Sequence, residues 1–279
     1  MHTLALGNFL SDNFDPACAE LVQRLGARGL PLRFAPRADF AGLLGGAPPL
    51  AFACGLAYVC LHDAQPGDLL PLAAPLIDDP GVADAPVYFC DLLLRRELAL
   101  GELAIGDADG AALTALGGLR LAYNETRSFS GYLAARHGLA AQGLDLDLFG
   151  ALLHSGGHRQ SLAMLEAGEA DVAALDSHSL AVERGLRPEL DARLCRVARF
   201  GPYPMPPLLA HAGLAAASRE ALREALCTLP INAASSPALV AGRVRGFAPV
   251  DDAYYAPIRA IVSDLSPTLG AADFLAPAA

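Results

Sequence analysis

Three times between residues 119 and 185 a short apolar, strand-like run breaks off into small and polar residues and hands over to a helix-like segment. The segments are LRLAYNETRSFSGYLAARHG, LLHSGGHRQSLAMLEAG and ADVAALDSHSLAVERG. Repeated strand-to-helix units of this kind place a chain in the α/β class. The first junction holds Ser128, Ser130 and Gly131 just ahead of its helix. Hydroxyls and backbone N–H groups then converge on one point, the usual way of holding an oxyanion. The second junction supplies Ser155, Gly156, Gly157 and His158, and the third supplies Asp176. If the three strands are parallel neighbours, the loops share one sheet edge and build one site.

Composition limits the alternatives. With 279 residues, 53% of them apolar and 18% charged, the chain can form one large or two medium domains with proper cores. The net charge of −10, with all 20 cationic side chains being Arg, argues against a nucleic-acid surface. A negative protein can still bind an anion through backbone dipoles and neutral donors. The six cysteines (Cys18, Cys54, Cys60, Cys90, Cys195 and Cys227) show no metal-ligand spacing and read as buried thiols. No cofactor or metal motif is present. The run after Met1 has neither a cationic leader nor a small-residue cleavage site, so the chain as written reads as cytoplasmic, and as periplasmic if a leader has been removed. Every apolar stretch is broken by Gly, Pro or charge before the roughly 20 residues of a membrane span, so no membrane insertion is expected.

Strands are expected at residues 3–6, 32–35, 50–53, 119–123, 148–153, 172–175 and 208–211, with a long apolar run over 87–97. Helices are expected over 16–27, with Asp15 as N-cap and Pro16 at the first helical position, and over 131–141 and 159–167, the latter stopped by Gly168. A further helix over 218–229 takes Ser218 as its N-cap, and the four prolines of FGPYPMPP (200–207) mark an extended crossing segment.

LAYNETRSFSGYLAARHGLA, then SGGHRQSLAMLEAGEADVAALDSHSLAVERG, the Pro-rich return and a late FAPVDDAYYAPIRAI together resemble the phosphate/phosphonate-binding proteins of ABC transporters, a subfamily of the type 2 periplasmic binding proteins. The resemblance spans roughly residues 50–260 and is most specific over 119–185. It implies two Rossmann-like α/β lobes joined by two crossing segments, with a ligand cleft between them that shuts by hinge closure. One lobe would comprise residues 1–86 and 205–279, the other 87–204. Residue by residue, it makes Ser128, Phe129 and Ser130 a phosphonate cradle at a helix N-terminus, and His158 a further donor. Asp176 would face the ligand's other end, where some family ligands carry an amine, and Tyr58 and Tyr88 would be aromatic walls. Phe129 stands where the family often has a hydroxyl residue, and Cys90, also placed at the ligand, stands where Ser is common, so the hydroxyl shell is thinner than the family pattern.

Plainer readings exist for several of these residues. Ser128 and Asp176 could be simple N-caps, Tyr58 a core aromatic, and Arg127 and Arg159 solvated or paired with nearby acids. Ser130, His158 and Asp176 match the residue types of a hydrolytic triad, but neither SFSGY nor HSGGH has the G-x-S-x-G form of a nucleophile elbow. A metal site on His154 and His158 lacks a completing acid at a known spacing. The expected function is binding, without turnover, of a small anion: phosphonate, phosphate-like, or a zwitterionic aminoalkylphosphonate. Its partner would be an ABC permease or a signalling protein. The alternative is a cytoplasmic enzyme on the same fold acting on a small carboxylate or cofactor precursor.

Overall fold

The computed structural model describes residues 3–10, 12–35, 40–47, 49–79, 81–82, 84–98 and 110–275. The chain divides into two compact units, Met1–Val87 with Pro204–Ala279, and Tyr88–Tyr203. Each unit has its own sheet. The first contains β1 (Leu4–Asn8), β2 (Leu32–Ala35), β3 (Leu50–Phe52), β4 (Leu69–Ile77), β10 (Leu208–His211) and β11 (Val244–Pro249), in the order β11-β4-β10-β3-β1-β2. The second contains β5 (Val87–Arg95), β6 (Arg120–Tyr123), β7 (Ala151–His154), β8 (Val172–Asp176) and β9 (Leu194–Pro204), in the order β7-β6-β8-β5-β9.

In the first unit β1 pairs in parallel with β2 and β3, as expected of strand–helix alternation, while β10 returns antiparallel between β3 and β4. The helix Asp15–Gly26 buries Ala17, Cys18, Leu21 and Leu25, the spacing of a single apolar stripe, on this sheet's core. Asp15 does not cap it. The residue at the N-cap is Phe14, preceded by a short 3-10 turn, and the Asp15 carboxylate instead accepts a hydrogen bond from Asn8 Nδ2 at 2.7 Å. Ser218 is likewise not a cap, because the alanines before it carry the helix back to Ala216.

Two elements of this unit escape sequence periodicity. The helix Gly55–Ala64 buries every residue from Gly55 to Leu61 and so has no polar face to betray its period. Gly55 lets it approach its neighbour: a Cβ there would lie 2.6 Å from Ile258 Cδ1 on the helix Ala256–Leu265. Strand β4, LLPLAAPLI, contains two prolines yet lies between β11 and β10. Its pairing with β10 shifts register opposite Pro71 and Ala73, a bulge that accommodates a residue without an N–H.

In the second unit β6 pairs in parallel with both β7 and β8, and β8 pairs antiparallel with β5. The chain enters this unit along β5 and leaves along β9, which are neighbours in the sheet. Asp91 on β5 is fully buried and meets the Arg199 guanidinium of β9 through Nε at 2.7 Å and a second nitrogen at 3.0 Å. The same guanidinium stacks over the Phe89 ring, 4.6 Å from its centroid. Among the described residues no helix is long and apolar enough to cross a membrane.

Removing one member of a buried ion pair leaves the other desolvated and uncompensated. Arg199→Met should therefore lower the unfolding free energy by about 3 kcal/mol, read from urea titrations. A loss below about 1 kcal/mol would show that Asp91 finds water or another partner.

Candidate functional site

The parallel pairing β7-β6-β8 places the C-terminal ends of all three strands at one edge of the second unit's sheet, in the register Tyr123↔His154 and Leu121↔Val172. The three polar junctions start there. After β6, residues 124–128 turn, and Ser128, extended at φ −85° and ψ 124°, caps a helical segment that opens with a wide turn, Phe129–Leu133, and continues as Ala134–Ala140. The Ser128 hydroxyl accepts from Gly131 N at 3.1 Å, so the capping role is real. The N–H groups of Phe129 and Ser130 lie in the first turn, where a helix offers no acceptor, and have no backbone partner among the described residues.

Phe129 gives this turn its N–H alone. Its ring is fully buried and packs edge-on against Tyr203 at 5.1 Å. After β7, Gly156 takes φ +87°, which suits glycine, and His158 becomes the first residue of the helix His158–Glu166, one position earlier than the sequence reading. After β8, Asp176 caps the helix Ser177–Leu186: its carboxylate accepts from Ser179 N at 2.5 Å and from Ser179 Oγ at 2.8 Å.

These three turns meet at one imidazole nitrogen. His158 Nε2 stands 2.9 Å from Asp176 Oδ2 and 3.0 Å from Ser130 Oγ. Burial alone would push the Asp176 carboxyl up. The charge and hydrogen bond of His158, the charge of His178 and the Ser179 N–H outweigh it and hold that carboxyl well below the usual carboxylate range. An ionised carboxylate only accepts, so Nε2 must carry the proton. A nitrogen that carries a proton cannot accept one from Ser130. The Ser130 hydroxyl is thereby left as a donor, facing away from the imidazole.

This geometry also disposes of the triad. A serine nucleophile needs a bare nitrogen facing it and an acid on the other ring nitrogen. Here hydroxyl and acid share Nε2, and Nδ1 is buried with no hydrogen-bond partner among the described residues. Among the described residues no group of His, Cys, Asp and Glu could hold a metal ion.

The remaining expected residues are buried. Tyr88 is nearly buried, with its ring 6.4 Å from that of Tyr203. Cys90 is fully buried opposite Asp176 in the β5–β8 register, and burial, then Asp91 and Asp176, push its thiol well up. Tyr58 belongs to the first unit, where it is fully buried with its hydroxyl donated to Asp252 at 2.8 Å, burial first and that carboxylate second raising it. The flanking arginines have acids of their own: Arg127 pairs with Glu125 at 3.0 Å and Arg159 with the buried Glu183 at 3.1 Å. Sequence reasoning missed Asn124, which is buried at the end of β6 beneath the Ser128 turn. Its only signal was a polar residue directly after an apolar strand.

The depressed Asp176 carboxyl fixes a sign. A carboxyl held below its unfolded value contributes stability that is fully present above about pH 4 and is lost as the pH falls through the folded value. Asp176→Asn should flatten the acid limb of the stability profile, read from urea midpoints between pH 7 and pH 3. An unchanged slope would mean that Asp176 gains nothing from its three partners.

The family model described as "ABC transporter, phosphonate, periplasmic substrate-binding protein" matches residues 10–255. Among solved structures, PhnD1 from Prochlorococcus marinus in complex with methylphosphonate superposes with a TM-score of 0.78 at 18% identity, covering 94% of this chain and 98% of that one. A binding-protein component of an ABC phosphonate transporter from Pseudomonas aeruginosa gives 0.71 at 18% identity, covering 98% and 93%. XAC2383 from Xanthomonas citri bound to ATP gives 0.67 at 20% identity, covering 99% and 100%. No curated protein matches the chain. The two-sheet α/β architecture is that of these type 2, two-lobed binding proteins. By the extent of the family match, the chain belongs to the phosphonate substrate-binding proteins of ABC transporters.

Proposed function

We propose that this chain binds a small phosphonate or phosphate-like dianion without turnover and delivers it to an ABC permease, working in the periplasm. The observation that carries the reading is the cluster of hydrogen-bond donors at the edge where β6, β7 and β8 end: the Phe129 and Ser130 N–H groups with the Ser128 and Ser130 hydroxyls. Such a cluster of neutral donors at a helix start stabilises an oxyanion without any lysine or unpaired arginine, in keeping with a net charge of −10.

Asp176 narrows the ligand. Both of its oxygens are engaged within the site, by Ser179 and by the imidazole. An ammonium group on the ligand would gain little from it. The reading therefore favours a simple alkylphosphonate, phosphite or phosphate over an aminoalkylphosphonate. The methylphosphonate held by the Prochlorococcus protein of the same fold supports this choice.

Calorimetry and thermal unfolding with methylphosphonate, phosphite, phosphate and 2-aminoethylphosphonate test it. At 100 times its dissociation constant a ligand adds about 2.7 kcal/mol of stability, and methylphosphonate should do so more readily than its amino analogue. Ser130→Ala should weaken methylphosphonate binding about tenfold while shifting stability by less than about 1 kcal/mol. Silence of the folded protein across the panel would overturn the reading, and tighter binding of the amino compound would return Asp176 to the ligand.

A further inference from the structure

We propose that Asn124 sets the direction of the Ser128 hydroxyl, through a one-way chain of hydrogen bonds running Ser155 to Ser161 to Asn124 to Ser128. This makes Ser128 a donor only, and it rests on the oxyanion reading above. Ser155 Oγ lies 2.7 Å from Ser161 Oγ, Ser161 Oγ lies 3.5 Å from Asn124 Oδ1, and Asn124 Nδ2 lies 3.3 Å from Ser128 Oγ. Ser128 Oγ also accepts from Gly131 N at 3.1 Å.

The direction is set at the amide, whose Oδ1 faces Ser161 and whose Nδ2 faces Ser128. A hydroxyl has one proton and two lone pairs, and an amide has an acceptor end and a donor end. Ser155 Oγ also approaches the carbonyls of Tyr123 and Gly157, at 3.0 and 3.1 Å, each of which has a lone pair left beside the backbone N–H it accepts, from Ser155 and Ser161 respectively, at 2.9 Å. In the proposed relay the Ser155 proton goes to its nearest contact, Ser161 Oγ, at 2.7 Å. Ser161, fully buried, then has Asn124 Oδ1 as the acceptor for its own proton, and the Asn124 NH2 end is turned towards Ser128. With both Ser128 lone pairs occupied and no acceptor for its proton among the described residues, that hydroxyl can only donate outward. Each bond in such a chain polarises the next.

Space confirms that the amide is seated rather than incidental. A Cβ on Gly131 would fall 2.5 Å from Asn124 Cγ and 2.7 Å from Nδ2, so the loop lies on the amide and tolerates no side chain there. The consequence is specificity for the protonation state of the ligand. A donor-only serine suits an unprotonated oxyanion oxygen, whereas one able to accept would also take a P–OH group. Asn124 is thus a positioning residue that acts on the ligand through Ser128.

Titration calorimetry of the wild type, Asn124→Asp and Ser161→Ala with methylphosphonate, across the pH range of its second ionisation, tests this. Wild-type affinity should rise as the ligand becomes a dianion. An aspartate at 124 accepts the Ser128 proton, so that variant should bind at least about tenfold more weakly at high pH and prefer the monoanion. Ser161→Ala frees the amide to turn over without adding charge, and should weaken binding about fivefold. Loss in Asn124→Asp with Ser161→Ala unchanged would assign the effect to the added charge and overturn the relay, as would both variants binding within twofold of wild type. Should Asn124→Asp fail to fold by circular dichroism, Ser161→Ala decides alone. A wild type that does not bind methylphosphonate overturns the oxyanion reading itself.

Discussion

The parallel pairing of β6 with β7 on one side and β8 on the other is the constraint from which the candidate site follows. Parallel neighbours end at the same edge of a sheet, so the turns that follow Tyr123, His154 and Asp176, far apart in the chain, are delivered to one place. Ser128, His158 and Asp176 all stand at or next to a helix start on that edge. A slip of β6 by one residue against either neighbour would turn its inward face outward and carry Ser130 away from His158. The pair of the fully buried Asp91 with Arg199 ties together β5 and β9, the strands that bring the chain into this unit and out of it.

Within that frame the chemistry is set by who holds each proton. Asp176, ionised and holding three hydrogen bonds, fixes a proton on His158 Nε2, and that proton denies Ser130 an acceptor. Asn124 is proposed to do the same for Ser128 from the other side of the loop. On that proposal two serines are left with protons and no acceptor for them among the described residues. Such a surface discriminates by hydrogen-bond polarity rather than by net charge, which is how a chain rich in acids can offer a place to an anion.

Much of this was legible in the residues, and the limits of that legibility have physical causes. Ser128 and Asp176 could be named as caps because a small polar side chain before an apolar run has few other uses. Asp15 and Ser218 carried the same signal and are not caps: a 3-10 turn and an alanine run moved those helix starts by one to three residues, and a cap exists only at the start itself. The helix Gly55–Ala64 and strand β4 were missed because one is buried on every side and the other carries prolines at a bulge, so neither displays the period that marks its type. Tyr58 and Cys90 illustrate a further limit: residue type suggests a wall or a donor, whereas the full burial of both side chains is a tertiary fact.

The sequence by itself determined the α/β class, the three polar junctions and the residue types gathered there, because strand and helix periods and cap preferences are local properties written within a few positions. Only the tertiary structure decided what those residues are to one another. That Asp176 serves His158, that Ser130 and Asp176 share a single ring nitrogen, and that Asn124 lies under Gly131 are facts of proximity between separate strands. They depend on a register and on close packing at the level of a single Cβ, for which no stretch of chain carries a local sign.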